Sequence, residues 1–94
     1  MKVVWSETAR ASLAELILYI AQDSVMAALD AEDRIRRSIH RLHQFPQSGR
    51  IGGKSGTYEV VVPRSPYIVV YRLQDDEIGI VRIIHGAQQW PPAQ

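Results

Sequence analysis

The sequence predicts one α+β domain: a short N-terminal strand, a two-helix hairpin and an antiparallel sheet packed against it, in the order β-α-α-β-β-β. Three observations predict it. Apolar residues recur at helical spacing through the first half, a glycine-rich basic stretch divides the chain, and the second half is β-branched and aromatic with turn residues at short intervals. Ninety-four residues supply one hydrophobic core and not two, so residues 1–94 are read as a single domain.

Lys2-Val3-Val4-Trp5 is a short apolar run that reads as a strand. Ser6 is a good helix N-cap, and Glu7 follows in the first turn, where its charge suits the helix dipole. Ala9, Leu13, Leu16, Ile17 and Ile20 then mark one helical face. Asp23-Ser24 interrupts the pattern and offers a second cap. Val25, Ala28, Leu29, Ile35, Ile39 and Leu42 continue at helical spacing to Phe45, where Pro46 stops the helix. Glu32 and Arg36, like Asp33 and Arg37, stand four apart in the favourable order.

Residues 47–56 hold Gly49, Gly52, Gly53 and Gly56 with Arg50 and Lys54, a composition that predicts a flexible basic loop and no regular element. Residues 57–62, 67–73 and 78–84 read as three strands, joined by the turns Pro63-Arg64-Ser65-Pro66 and Gln74-Asp75-Asp76-Glu77. Both faces of these strands are apolar, with Tyr67, Val69 and Tyr71 on one and Ile68 and Val70 on the other. One face is expected to pack on the helices and the other to be covered by something further, a helix from a partner being one candidate. The stretch from His85 through Trp90 to Pro92 is expected as a non-helical tail, with Trp5 and Trp90 as structural covers near the chain ends.

Composition excludes several functions. No cysteine is present, which removes disulfides, cysteine-ligated metals and a thiol nucleophile. The opening residues lack the apolar run of a secretory signal, and no stretch approaches the length of a membrane span. The chain is accordingly expected to be soluble and cytoplasmic, without membrane association. His40 and His43 are spaced like half a metal site but lack a cysteine or a convergent carboxylate, and a solvated or nucleic-acid-facing pair is the simpler reading. Gly52-Gly53 precedes strand-like sequence, so no nucleotide-phosphate loop is expected. No cofactor and no metal are expected.

The net charge of +1 conceals a segregation. Residues 1–35 carry three basic against six acidic side chains, residues 36–72 seven against one, and the remainder one against three. The basic middle, with His40 and His43 added, is a landing surface for an acidic partner or an ordinary solvated face.

Five segments together resemble one family. Trp-Ser at residues 5–6, Phe-Pro-x-Ser-Gly-Arg at 45–50, Gly-Thr-x-Glu-Val-Val-Val at 56–62, Tyr-Ile-Val-Val-Tyr-Arg at 67–72 and Val-Arg-Ile-Ile-His-Gly-Ala-Gln-Gln-Trp-Pro at 81–91 resemble, in this order, the RelE/ParE toxin superfamily. The resemblance implies the toxin of a type II toxin–antitoxin system, which inhibits growth, stabilises plasmids and is neutralised by a cognate antitoxin. Contact with operator DNA is implied only through that antitoxin. RelE-like members cut messenger RNA on the ribosome as metal-independent endoribonucleases, whereas ParE-like members act on DNA gyrase, and fold alone does not choose between them.

RNA cleavage by the 2′-hydroxyl needs a proton acceptor, a proton donor and cations for the charged transition state. The best candidates for such catalysis are His85, Arg82, Arg64, Arg72 and Glu59. His85 is chosen because imidazole titrates near neutral pH and because it follows the last strand, where family active sites lie. It also has a structural reading, packed under the tail. Arg82 alternates with Ile80 and Ile84, which places it in a cleft or in a cross-strand pair with Glu59. Arg50, Lys54, Tyr67 and Tyr71 are candidates for binding the nucleic acid or other target, with the tyrosines also readable as packing. Several cations that the resemblance implies for a nuclease are missing. Ile68 follows Tyr67 where an arginine is expected, residues 57–62 hold no lysine, Tyr58 replaces the arginine of Gly-Thr-Arg-Glu, and Gly86-Ala87 stands in place of an arginine after the last strand. These departures favour gyrase-directed binding over messenger cleavage. An inactive relative that only binds antitoxin is a third reading.

Overall fold

A computed structural model describes residues 1–86. The elements are β1 (Lys2–Trp5), α1 (Glu7–Ala21), α2 (Val25–Arg41), β2 (Arg50–Ile51), β3 (Tyr58–Val61), β4 (Tyr67–Gln74) and β5 (Glu77–His85). The strand, helical hairpin and following sheet are those expected. Ser6 and Ser24 cap the two helices, each hydroxyl accepting from the backbone N–H three residues on, of Ala9 and Ala27 respectively. Asp30–Arg34, Glu32–Arg36 and Asp33–Arg37 form ion pairs along α2 at 2.7, 3.0 and 3.0 Å. The expected tail, including Trp90, falls on positions 87–94, outside the described residues.

The sheet has five strands in the order β1-β5-β4-β3-β2. β2 to β5 pair antiparallel, while β1 joins the free edge of β5 in parallel, with Val4 opposite Gly79 and Trp5 opposite Ile80. The basic stretch expected to be structureless contains β2, paired Arg50 to Glu59 and Ile51 to Tyr58. α2 ends at Arg41 rather than Phe45, because the N–H groups of Leu42, His43 and Gln44 bond to carbonyls three residues back. The last turn tightens before Pro46 removes a donor.

The main core lies between the helices and one sheet face: Ala9 and Leu13 of α1 and Ile35 and Ile39 of α2 pack with Leu42 on Val69, Tyr71, Ile78, Ile80 and Ile83. Ala28 and Ala31 extend the buried stripe of α2, so Val25 and Leu29, expected on that face, are 63% and 54% exposed. Leu29 is one residue, about 100°, round the helix from Ala28.

The other sheet face corrects an expectation. Ile68, Val70 and Ile84 are 8%, 0% and 5% exposed and pack together with Val81 as a second cluster. The chain itself shields these residues, while Val61, the ladder partner of Ile68 on the same face, is 49% exposed. Large exposed apolar residues also stand around the helical joint: Leu18, Tyr19, Val25, Met26 and Leu29.

Candidate functional site

β5 carries an extra residue relative to β4. Val70 pairs with Arg82 and Tyr71 with Ile80, so Val81 is bulged out of register. A bulge leaves backbone groups that need partners. Two serines of the first helical turns supply them: Ser6 Oγ donates to the Val81 carbonyl at 3.1 Å, and Ser12 Oγ accepts from the Ile83 N–H at 3.0 Å. Ser12 also donates to the Ala9 carbonyl at 2.9 Å, which fixes its rotamer. The bulge is thus pinned to α1, and with it the directions taken by the residues that follow.

Beyond the bulge, Arg82, Ile83 and His85 line a groove of about 550 Å³ with Tyr67, Ser12, Glu15, Leu16 and Tyr19. Tyr67 lies opposite His85 in the ladder, and the two rings meet edge to face at 6.0 Å. The groove therefore collects an imidazole, a carboxylate and two phenols at the junction of α1, β4 and β5, while Arg82, the ladder partner of Val70, borders it from the sheet face of Val70 and Ile84. Three sequence candidates, Arg82, His85 and Tyr67, are brought together here. The α1 residues were not foreseen. Their spacing of three, four and seven from Ser12 to Tyr19 places them on one stripe, and that is the signal that could have found them.

The remaining candidates lie elsewhere. Glu59 accepts from the Gly53 N–H at 3.1 Å and pairs with Arg50 at 3.3 Å, with its side chain 11% exposed. It braces the basic loop. The expected pairing of Glu59 with Arg82 fails on register, because β4 intervenes and its Val70 is the ladder partner of both. Arg72 donates to the Ser55 carbonyl at 3.4 Å and lines a separate groove with Val4, Gln74, Glu77 and Gly79. Arg64 sits in the β3–β4 turn beside α2. Arg50, in β2, and Lys54, in the loop that follows it, are exposed.

Tyr71 is not a target-binding surface residue. It is fully buried, its ring stacks on Tyr58 at 5.7 Å, and its hydroxyl donates to the Pro46 carbonyl at 2.8 Å and accepts from the Gly49 N–H at 3.0 Å. Gly49 is the residue that permits this, since a Cβ there would lie 2.8 Å from the Glu59 carbonyl oxygen. Burial pushes the Tyr71 phenol above its ordinary value of 10.0, the Gly49 hydrogen bond pulls it back in part, and Tyr58 adds to the rise. The neutral phenol is the form the fold favours. Its contribution to stability is therefore complete below pH 10.0 and is lost as pH rises from there through the folded-state value. Denaturant titrations across this range should show a steeper loss for the wild type than for Tyr71→Phe. Parallel losses would contradict the role given to the phenol.

Among the described residues no group of three or more His, Asp or Glu side chains is placed to hold a metal. No helix among them is long and apolar enough to cross a membrane.

Comparison with known proteins places this scaffold. The family model described as the ParE toxin of the type II toxin–antitoxin system parDE matches residues 3–90. The chain belongs to the ParE toxin family. Among its relatives, the Y4kP protein of Sinorhizobium fredii is 36% identical over 90 residues, covering 96% of this chain and 93% of the relative. Toxin RelE2 of Caulobacter vibrioides is 36% identical over 87 residues, covering 93% of this chain and 97% of the relative. A chain of the chromosomal ParDE TA system from P. aeruginosa superposes with a TM-score of 0.80 at 26% identity, over 90% of this chain and 95% of that one. This ParE family member is thus a type II toxin by family, and the RelE/ParE fold expected from its sequence is the fold it has.

Proposed function

We propose that this chain arrests bacterial growth by binding DNA gyrase and that a cognate antitoxin relieves the arrest. The observation that carries the reading is the match of the ParE family model across residues 3–90. The surface supports it. β3 carries no lysine, Ile68 rather than a cation follows Tyr67, and the candidate cations Arg64 and Arg72 lie outside the groove that holds Arg82 and His85. A binding-type mode of action needs a shaped recognition groove and no assembled acid–base set. The antitoxin is expected on the helical hairpin, where Leu18, Val25, Met26 and Leu29 are exposed and a groove of about 650 Å³ runs past Trp5, Leu13, Ile17 and Leu18. Any sequence-specific hold on operator DNA would come through that antitoxin.

A second reading is ribosome-dependent, metal-independent cleavage of messenger RNA. It is favoured by the name of the Caulobacter relative, toxin RelE2, and by the proximity of His85, Arg82 and Glu15 in one groove. Induction of the chain in cells separates the two. The gyrase reading expects protein-linked, broken DNA and intact messengers. Primer extension showing cuts within codons, with DNA unbroken, would replace it with the nuclease reading.

A further inference from the structure

We infer that the C-terminal half of α2 and the β3–β4 turn form a binding site for the backbone phosphates of a polynucleotide. This site is separate from the groove on α1 and β5 and does not depend on which target the toxin has. Arg34, Arg37, Ser38, Arg41, Pro63 and Arg64 line one small cavity of about 170 Å³. Helical spacing explains the first four, which fall on one face of α2.

The charge there exceeds what the fold neutralises. Arg34 and Arg37 pair with Asp30 and Asp33, in each case with Nε as the contacting nitrogen at 2.7 and 3.0 Å. Arg41 and Arg64 have no ion-pair partner among the described residues. Four cations thus meet two carboxylates around one cavity, an arrangement that an anion would relieve.

Two further features show that the cavity is built. Ser38 is 5% exposed, lines the cavity, and its hydroxyl has no hydrogen-bond partner among the described residues. A buried hydroxyl without a partner is uncommon and points to a missing ligand. Arg64 is held at φ 55°, a left-handed conformation unfavourable to a long side chain. The turn that imposes it is fixed by Ser65, whose hydroxyl donates to the Val62 carbonyl at 2.8 Å and accepts from the Tyr67 N–H at 3.1 Å. Arg64 thereby stands at the cavity beside the arginines of α2.

The donors select the ligand. Guanidinium groups from two elements and a hydroxyl approach from different directions, which suits the several oxygens of a tetrahedral phosphate better than one planar carboxylate. Arg34 and Arg41 are seven residues apart, roughly 10 Å along the helix axis, which exceeds the ~3.4 Å rise between neighbouring phosphates on one DNA strand. A chain of phosphates uses the whole row where a single anion would not.

The test is fluorescence anisotropy of a short labelled DNA duplex of arbitrary sequence, titrated with the purified full chain over a salt series. The wild type is expected to bind, with log K falling linearly against log salt. Arg41→Gln with Arg64→Gln should reduce the magnitude of that slope by about two. Ser38→Ala should weaken binding at every salt concentration and leave the slope unchanged, because it removes an uncharged donor. Arg36→Gln, on the Glu32 and Trp5 side of α2, should leave both unchanged. Arg41 and Arg64 are exposed, and thermal melting verifies that the double variant is folded. The proposal is overturned if the folded double variant keeps the wild-type slope, or if the wild type does not bind the duplex at low salt. It is overturned equally if poly-L-glutamate displaces the duplex as well, charge for charge, as inorganic polyphosphate does.

Discussion

Replacing Arg82 and His85 together with alanine is expected to abolish growth arrest while leaving the fold intact. Both residues border the groove at the bulged end of β5, and neither belongs to either hydrophobic cluster. If the groove is the recognition surface, truncating one arginine anchor costs about 2 kcal/mol of target binding, close to thirtyfold in affinity. Loss of the histidine beside Tyr67 adds to that. The combined effect should exceed ~100-fold, enough for induced cells to form colonies like cells carrying an empty vector. The check is colony counts after induction, with melting and abundance of the variant measured in parallel. Full arrest by a stable double variant would remove the groove from the mechanism.

Tyr71→Phe is expected to cause the largest loss of stability for the smallest change of volume. The substitution keeps the ring among Val69, Ile78 and Ile80 but removes one hydroxyl that serves two backbone groups, the Pro46 carbonyl and the Gly49 N–H. Each part-buried group left without a partner costs about 1 kcal/mol, so the total is about 2 kcal/mol. For a domain of this size that lowers Tm by roughly 8–16 °C. Because the hydroxyl ties residues 46–49 to the sheet, β2 should lose protection in hydrogen exchange before the rest of the sheet does. A variant that melts within about 2 °C of wild type would show that the hydroxyl is not what holds this loop.

How much of this was legible in the sequence depends on how local the determining physics is. The two helices, their serine caps and the spaced ion pairs are set within a few residues, and they were readable. The three main strands announced themselves by β-branched composition between turn residues. Long-range pairing was not readable. Nothing in Lys2–Trp5 states that it will lie parallel to β5, and nothing in Arg50–Ile51 states that a buried tyrosine twenty-one residues on from Arg50 will hold its loop in place. The bulge at Val81 was equally silent, because an extra residue shows only once both strands are aligned. That one residue separates Ile80, Ile83 and Ile84 between faces differently from a simple alternation.

The site was readable in part for the same reason. Arg82, His85 and Tyr67 adjoin one another on neighbouring strands and could be grouped from strand order alone. Glu59, Arg64 and Arg72 were grouped with them by residue type, and the sheet register and the turn at Arg64 place them on other surfaces. The apolar second face of the sheet misled for a different reason. Composition shows that a surface is greasy, not whether the chain covers it, and Val70 at 0% exposure is covered. Large apolar residues that meet solvent include Leu18, Tyr19, Val25, Met26 and Leu29 of the hairpin and also Phe45, Ile51 and Val61.

The most direct test is supercoiling of relaxed plasmid by purified DNA gyrase in the presence of increasing amounts of the purified chain. A gyrase-binding ParE toxin is expected to halt supercoiling in proportion to its concentration, with protein-linked broken DNA accumulating, and the Arg82→Ala/His85→Ala variant is expected to do neither. Undisturbed supercoiling at a large excess of folded chain would contradict the proposed target.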